Sequence, residues 1–243
     1  MQGVRDGFWR GALRGVTMAA AGLGLTAASA QAASRPYVLT SFDTIRLIAP
    51  VKLSVTTGGG TSAHGEGDRA MLDRVDMAVS GRTLTVRLRP AQPGDKPGVP
   101  PTLFVSTEDV RRVTLQGGGS LVIDRMKGLR GEIVLTGAGD VSVANARVDQ
   151  LNVVVAGNGR VTLGGKAGSL SAIVSGPGTL EAAGLEAKDV RLTNDGPGSA
   201  AVAASGTAHV IAKGSGDVTV AGKAACTVDR GGTGAIICSG KEY

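Results

Sequence analysis

The sequence predicts an all-β chain folded as a parallel β-helix, a solenoid of about seven coils preceded by an irregular N-terminal β cap. Three observations carry this. Gly-x-Gly triplets begin at Gly117, Gly137, Gly157, Gly176, Gly196, Gly214 and Gly232, in steps of 20, 20, 19, 20, 18 and 18 residues. A fixed glycine corner at a period near 20 is the mark of a solenoid. Apolar residues within each copy alternate at period 2, the strand period. The same alternation recurs from copy to copy, so like residues stack in columns when the copies lie side by side in parallel.

The columns can be written out. Four residues after each triplet begins stand Leu121, Val141, Val161, Leu180, Ala200, Val218 and Ile236; six after stand Ile123, Val143, Leu163, Ala182, Val202, Val220 and Cys238. Four before stand Val113, Ile133, Val153, Ala172, Leu192, Val210 and Val228. Each copy therefore reads as strand, corner, strand, glycine corner. The paired glycines, Gly117/Gly119, Gly137/Gly139, Gly157/Gly159, Gly176/Gly178, Gly196/Gly198, Gly214/Gly216 and Gly232/Gly234, are expected as structural corners, where a positive φ suits glycine. Two residues before the triplets the column starts apolar but later holds Asn194 and Arg230. The arginine fits an open last coil, and the asparagine a backbone bond at a corner.

From the start of the chain, Arg5, Arg10 and Arg14 precede an apolar run of small residues, Gly15 to Ala28. Small-x-small patterns follow, so residues 1–32 read as a secretory signal peptide cleaved after Ala30 or Ala32. The alternative is a short N-terminal anchor helix; no transmembrane span is expected in the mature chain. Secretion across the inner membrane, to periplasm or cell surface, follows. The leader holds three Arg and one Asp, so the net charge falls from +6 to +4 on its removal. Spread over many coils, that excess is too small to indicate nucleic acid.

Residues 33–101 form the expected cap, ending in a Pro-rich loop, Pro90 to Pro101; residues 102–243 form the coils. In the cap, strands are expected over Phe42 to Ile48, Val51 to Thr57, Met71 to Val79 and Thr83 to Arg89, with a loop over Gly58 to Asp68. The segment Gly184 to Asp189 could hold one helical turn.

Phe42 to Gly60 (FDTIRLIAPVKLSVTTGGG), Met71 to Leu88 (MLDRVDMAVSGRTLTVRL) and the corners GAGDVSV at Gly137 and GSGDVTV at Gly214 together resemble the putative autotransporter adhesin, head GIN domain family. The resemblance runs from about Ser41 to the C-terminus. It implies a bacterial secreted β-solenoid with a non-catalytic envelope or surface role. The chain departs from the pattern where Ser120, Arg160, Thr179, Ser199 and Ala235 replace the aspartate kept at Asp140 and Asp217.

No catalytic, cofactor or metal site is expected. Calcium needs six to eight oxygen ligands, and five of seven corners lack the aspartate. Nucleotide, zinc and nucleophile-elbow motifs are missing, and His64 and His209, the only histidines, read as bystanders. A polysaccharide-cleaving β-helix is the enzyme alternative. It needs facing carboxylates, but Glu132, Asp140, Asp149, Glu181, Glu186 and Asp217 scatter over the columns. Cleavage by Arg or Lys beside carboxylates needs an outward cluster over adjacent coils; Arg147 and Asp149 are one coil's outward charges, and Lys166 and Lys188 sit in later coils. The favoured reading is a binding scaffold for an envelope or surface ligand, glycan or protein, with a purely structural envelope role as alternative. Aromatic anchors for tight contacts are scarce: after the leader only Tyr37, Phe42, Phe104 and Tyr243 remain. Contact would then be shallow and avid.

The two cysteines, Cys226 and Cys238, fall in inward columns of adjoining layers and predict a disulfide in an oxidising compartment. The alternative is two packed free thiols.

Overall fold

The computed structural model describes residues 33–94 and 98–243. The expected leader and its cleavage positions, Ala30 and Ala32, lie outside the described residues. In chain order the elements are β1 (Ala33–Tyr37), β2 (Thr44–Leu47), β3 (Lys52–Thr57), β4 (Ser62–Gly67), α1 (Arg69–Arg74), β5 (Val75–Ser80), β6 (Thr83–Leu88), β7 (Thr102–Thr107) and β8 (Arg112–Gln116). Then come β9 (Ser120–Thr136), β10 (Asp140–Ala156), β11 (Arg160–Ser175), β12 (Thr179–Asn194), β13 (Ala200–Ala212), β14 (Val218–Gly222), β15 (Ala225–Arg230), β16 (Ile236–Cys238) and β17 (Lys241–Glu242).

The fold is a β-solenoid of stacked parallel coils. One long face stacks β6, β2, β8, the second halves of β9 to β13, and β15. A second stacks β7, β3, the first halves of β9 to β13, β14 and β16. The alternation dictates this: Val141, Val143, Val153 and Val155 point inward and are buried, while Ser142 and Asn152 point out. Every residue of the columns four and six after the triplets is buried.

A third, short face lies between the two long ones. Its inward residues are Met126, Ala146, Val148, Ala167, Leu185, Ala187 and Ala204, all buried. A two-strand copy does not anticipate it. Alanine fills four of these seven positions, and the register slips there, between Val143 and Ala146 and between Ala182 and Glu186. The drop in repeat length near the C-terminus is absorbed at this slip and the next: Ala182 and Glu186 pair with the consecutive Val202 and Ala203, which removes three residues, and one is restored between Ala187 and Asp189. The turn considered for Gly184 to Asp189 is strand, within β12.

The N-terminal region departs most from expectation. Residues 33–101 are not all cap: β2–β3 and β6–β7 are layers of the stack. The β2–β3 layer lies between β6–β7 and β8–β9, although those two are consecutive in sequence. The layer earliest in sequence is thus clasped by later chain. Asp43 ties it to both neighbours. Its N–H donates to the Arg82 carbonyl at 3.1 Å, and its carbonyl accepts from Arg111 N–H at 2.8 Å. Thr107 Oγ1 donates to the Phe42 carbonyl at 2.7 Å, and Thr57 Oγ1 donates to Asp124 Oδ1 at 3.0 Å.

The true cap is β1, β4, α1 and β5. β4 pairs antiparallel with β7 and β5 with β6, so the parallel ladder ends there. The Gly58 to Asp68 loop contains strand β4. Gly65 permits this, since a Cβ there would lie 2.7 Å from Leu72 Cδ2 and 2.9 Å from Leu103 Cδ2. The strand expected from Met71 begins only at Val75, because Asp68 caps a helix first. Its Oδ1 accepts from Ala70 N–H at 2.8 Å and Met71 N–H at 3.4 Å. Met71 and Leu72 of α1 are buried.

At the other end, Cys226 and Cys238 form a disulfide with Cα atoms 6.3 Å apart. It joins β15 on one long face to β16 on the other.

Candidate functional site

At the glycine corners the expected positive φ holds for only part of the set. Gly117, Gly137, Gly157 and Gly176 have it, whereas Gly196, Gly214 and Gly232 do not. The second glycine of each pair is a correction throughout: Gly119, Gly139, Gly159, Gly178, Gly198, Gly216 and Gly234 all lie outside the positive-φ region. What those positions require is the absence of a side chain, not an unusual backbone. A Cβ on Gly119 would lie 2.5 Å from the Ala49 carbonyl oxygen, and one on Gly139 2.5 Å from the Gly119 carbonyl oxygen. On Gly159 it would strike the Gly139 carbonyl, and on Gly178 it would lie 2.7 Å from Val155 Cγ1 and 2.8 Å from the Gly157 carbonyl oxygen. Gly198, Gly216 and Gly234 each back in the same way onto the glycine one layer below, as do Gly196, Gly214 and Gly232. The corners therefore pack backbone on backbone from layer to layer.

Polar side chains near the corners serve the backbone too. Asn194, fully buried, donates its amide to the carbonyls of Gly198 at 2.8 Å and Gly216 at 3.3 Å. Arg230, in the same column, donates to the Gly232 and Gly234 carbonyls on the open last coil. Corner Asp217 accepts from Ala235 N–H at 2.8 Å, a backbone duty in the next layer.

The outward acids do not face one another across a cleft. Glu132 meets Arg112 at 2.8 Å, Glu181 meets Arg160 at 3.2 Å and Glu186 meets Lys166 at 3.1 Å, each in an adjacent layer. His209 is half-buried beside Arg191 on the first long face. His64 stacks on Phe104, with ring centroids 4.9 Å apart and planes 15° apart. Phe42 is buried, so the described aromatic rings form no platform along the coils. Tyr37 donates to the Leu72 carbonyl at 3.1 Å, and burial raises its pKa against the neighbouring Arg35 charge.

One outward surface lines up cations from successive layers. Parallel register on the short third face aligns Lys127, Arg147 and Lys166, followed by Glu186. Layers stack at about 4.8 Å, so like positions become a ladder. Arg147 forms no salt bridge among the described residues. Lys127 lies 3.3 Å from Asp109 Oδ1, and the exposed Lys166–Glu186 pair is worth only about 0–1 kcal/mol. Around Arg147 and Lys166 is a shallow groove of about 900 Å³ that also takes in Asn145, Asp149, Gly165, Gly168 and Gly184. Gly165, Gly168 and Gly184 line it where a Cβ would meet the backbone of the preceding layer. Sequence reasoning named Arg147, Asp149 and Lys166; the groove brings these three together and leaves Lys188 outside its lining. It missed Lys127, whose alignment depends on the third face.

The putative auto-transporter adhesin, head GIN domain family matches residues 41–224. The chain belongs to that family. Solved structures show the same fold in this head GIN domain. A putative lipid binding protein from Parabacteroides distasonis superposes with TM-score 0.69 at 18% identity, covering 86% of this chain and 96% of that one. A putative adhesin from Bacteroides fragilis gives 0.66 at 21% identity, with 83% and 97% covered. Another from Parabacteroides merdae gives 0.66 at 15%, with 86% and 96% covered. No curated protein matches the sequence. Among the described residues no helix is long and apolar enough to cross a membrane.

Proposed function

We propose that this head GIN domain protein is a non-catalytic binding scaffold of the cell envelope or surface. Its short third face takes an anionic glycan through shallow, repeated contacts. The carrying observation is the in-register ladder Lys127, Arg147 and Lys166, of which Arg147 and Lys166 line the groove. One cation per layer matches a chain bearing carboxylate or phosphate groups at intervals. Arg147 is the central contact, because it has no acidic partner to displace and its guanidinium forks onto carboxylate or phosphate. Without an aromatic anchor each contact is weak, and affinity accumulates by avidity. The family's adhesin description and the leader-like N-terminus both support a role outside the inner membrane. Glu132, Glu181 and Glu186 are each committed to a cation in a neighbouring layer and Asp217 to a backbone N–H, which gives no support to glycosidase chemistry.

Retention of the purified protein on an immobilised polyuronate, against a neutral glucan, tests the reading. The expected result is polyuronate-selective retention that weakens as salt screens the charges and is lost in Arg147→Ala. Equal retention of Arg147→Ala would exclude the groove. No retention on any anionic glycan would favour a structural envelope role, and release of reducing ends would favour an enzyme.

A further inference from the structure

The first long face carries an outward row unlike the others. In register order it reads Arg46, Thr114, Val134, Val154, Ile173, Thr193, Ile211 and Asp229. Its centre is β-branched and largely aliphatic, and Ile173 keeps 42% of its surface in water. The corresponding row of the second face is different: Ser142, Thr162, Glu181, Ala201 and Thr219 separate its two exposed aliphatics, Val122 and Ile237. An aliphatic ladder flanked by a cation on one side and an anion on the other, with Thr85 of β6 continuing the row past Arg46, is self-complementary under one operation.

We propose that this face is a homodimer interface in which a second copy docks face to face with its stack reversed, about a two-fold axis running along the strands between β10 and β11. That operation sets Val154 on Ile173, Val134 on Thr193, Thr114 on Ile211, and Arg46 on Asp229. In the neighbouring row Glu132 of one copy, already paired with its own Arg112, is set on Arg191 of the other. The alternative two-fold, along the stack, sets like on like, Arg46 on Arg46 and Asp229 on Asp229, and is repelled. Arg46 and Asp229 are exposed and form no salt bridge among the described residues. Isologous pairing makes the Arg46–Asp229 contact twice.

The size is sufficient for a modest dimer. Five residues across and six layers along make a patch of about 17 by 29 Å. That is roughly 500 Å² on each copy, so the pair comes near the ~1,000 Å² lower bound of a specific interface. The short third face is a different side of the coil and stays open, so a dimer presents two cationic grooves. The dimer does not depend on what those grooves bind.

Sedimentation velocity on the protein purified after expression of the full chain, across a concentration series, tests the proposal. A monomer–dimer equilibrium is expected, with Ile173→Lys monomeric throughout. Arg46→Asp and Asp229→Arg should each weaken the dimer by about tenfold or more, and the double exchange should restore it. Circular dichroism melts check that the exposed-site variants fold. A monomer at the highest soluble concentration overturns the proposal, as does a dimer that Ile173→Lys leaves intact. Failure of the double exchange to rescue overturns the reversed alignment.

Discussion

Asp43 Oδ2 accepts a hydrogen bond from Arg82 Nε at 2.8 Å, across the seam between the β2–β3 layer and the later layer that covers it. The carboxylate is buried while the arginine is largely exposed. Burial alone would raise the Asp43 pKa. The hydrogen bonds from Arg82 and Thr44, with the charges of Arg82 and Arg111, outweigh it and hold the pKa below the usual value. The ionised form therefore stabilises the fold. Its contribution is complete above the unfolded-state carboxylate value of about 3.9 and is lost as pH falls through the lower folded value. Asp43→Asn should cost about 1.5–3 kcal/mol at neutral pH, and the gap to the parent should close below about pH 4. Chemical denaturation at several pH values measures it, and a gap independent of pH would contradict the assignment.

The inward columns predict a sharp contrast between two substitutions one corner apart. Val153 is buried and Asn158 is exposed at a glycine corner. Val153→Asp places an unpaired carboxylate inside, a cost of several kcal/mol against a net stability of about 5–15 kcal/mol. Asn158→Asp should change little. Thermal melts of both variants decide, and equal melting temperatures would reject the column assignment.

Asn194 is the polar residue of an otherwise apolar stretch of its column, and its amide serves two corner carbonyls. Asn194→Leu keeps the branched shape at a larger volume and strands those carbonyls in the interior. A loss of about 1–3 kcal/mol is expected. A neutral or stabilised variant would show that the corner satisfies itself in another way.

The Cys226–Cys238 bridge closes a short loop, with a separation of 12 residues, at the end of the stack. Chain-entropy arguments assign such a loop about 2–3 kcal/mol. Cys226→Ser should lower the melting temperature of oxidised protein and remove the parent's sensitivity to reductant. Mass spectrometry of unreduced protein should find no alkylatable thiol in the parent; two would rule the bridge out.

Local and periodic features were legible in the sequence. The 20-residue beat set parallel stacking, because like residues must superpose when identical copies pair in register. Period-2 alternation sorted Val153 and Leu163 inward. Cys226 and Cys238 met because both sat in inward columns at adjoining layers. The Asp68 cap of α1 was also written locally, but the apolar alternation after Met71 outweighed it in a strand reading. The glycine beat marked the corners but not why Gly139 or Gly159 must be glycine, because the carbonyl that excludes a Cβ there belongs to the layer below. Tertiary structure alone decided three further things. The insertion of β2–β3 between consecutive layers is a pairing between segments far apart in sequence, and every parallel strand offers the same hydrogen-bonding edge, so local sequence does not choose its neighbour. The short third face is held by inward residues whose periodicity breaks at the register slips, so its cations align only once the coils are wound. The aliphatic ladder on the first long face is likewise a property of the stack, since Val134, Val154, Ile173 and Ile211 are one or two coils apart in sequence and line up only when register places their layers side by side.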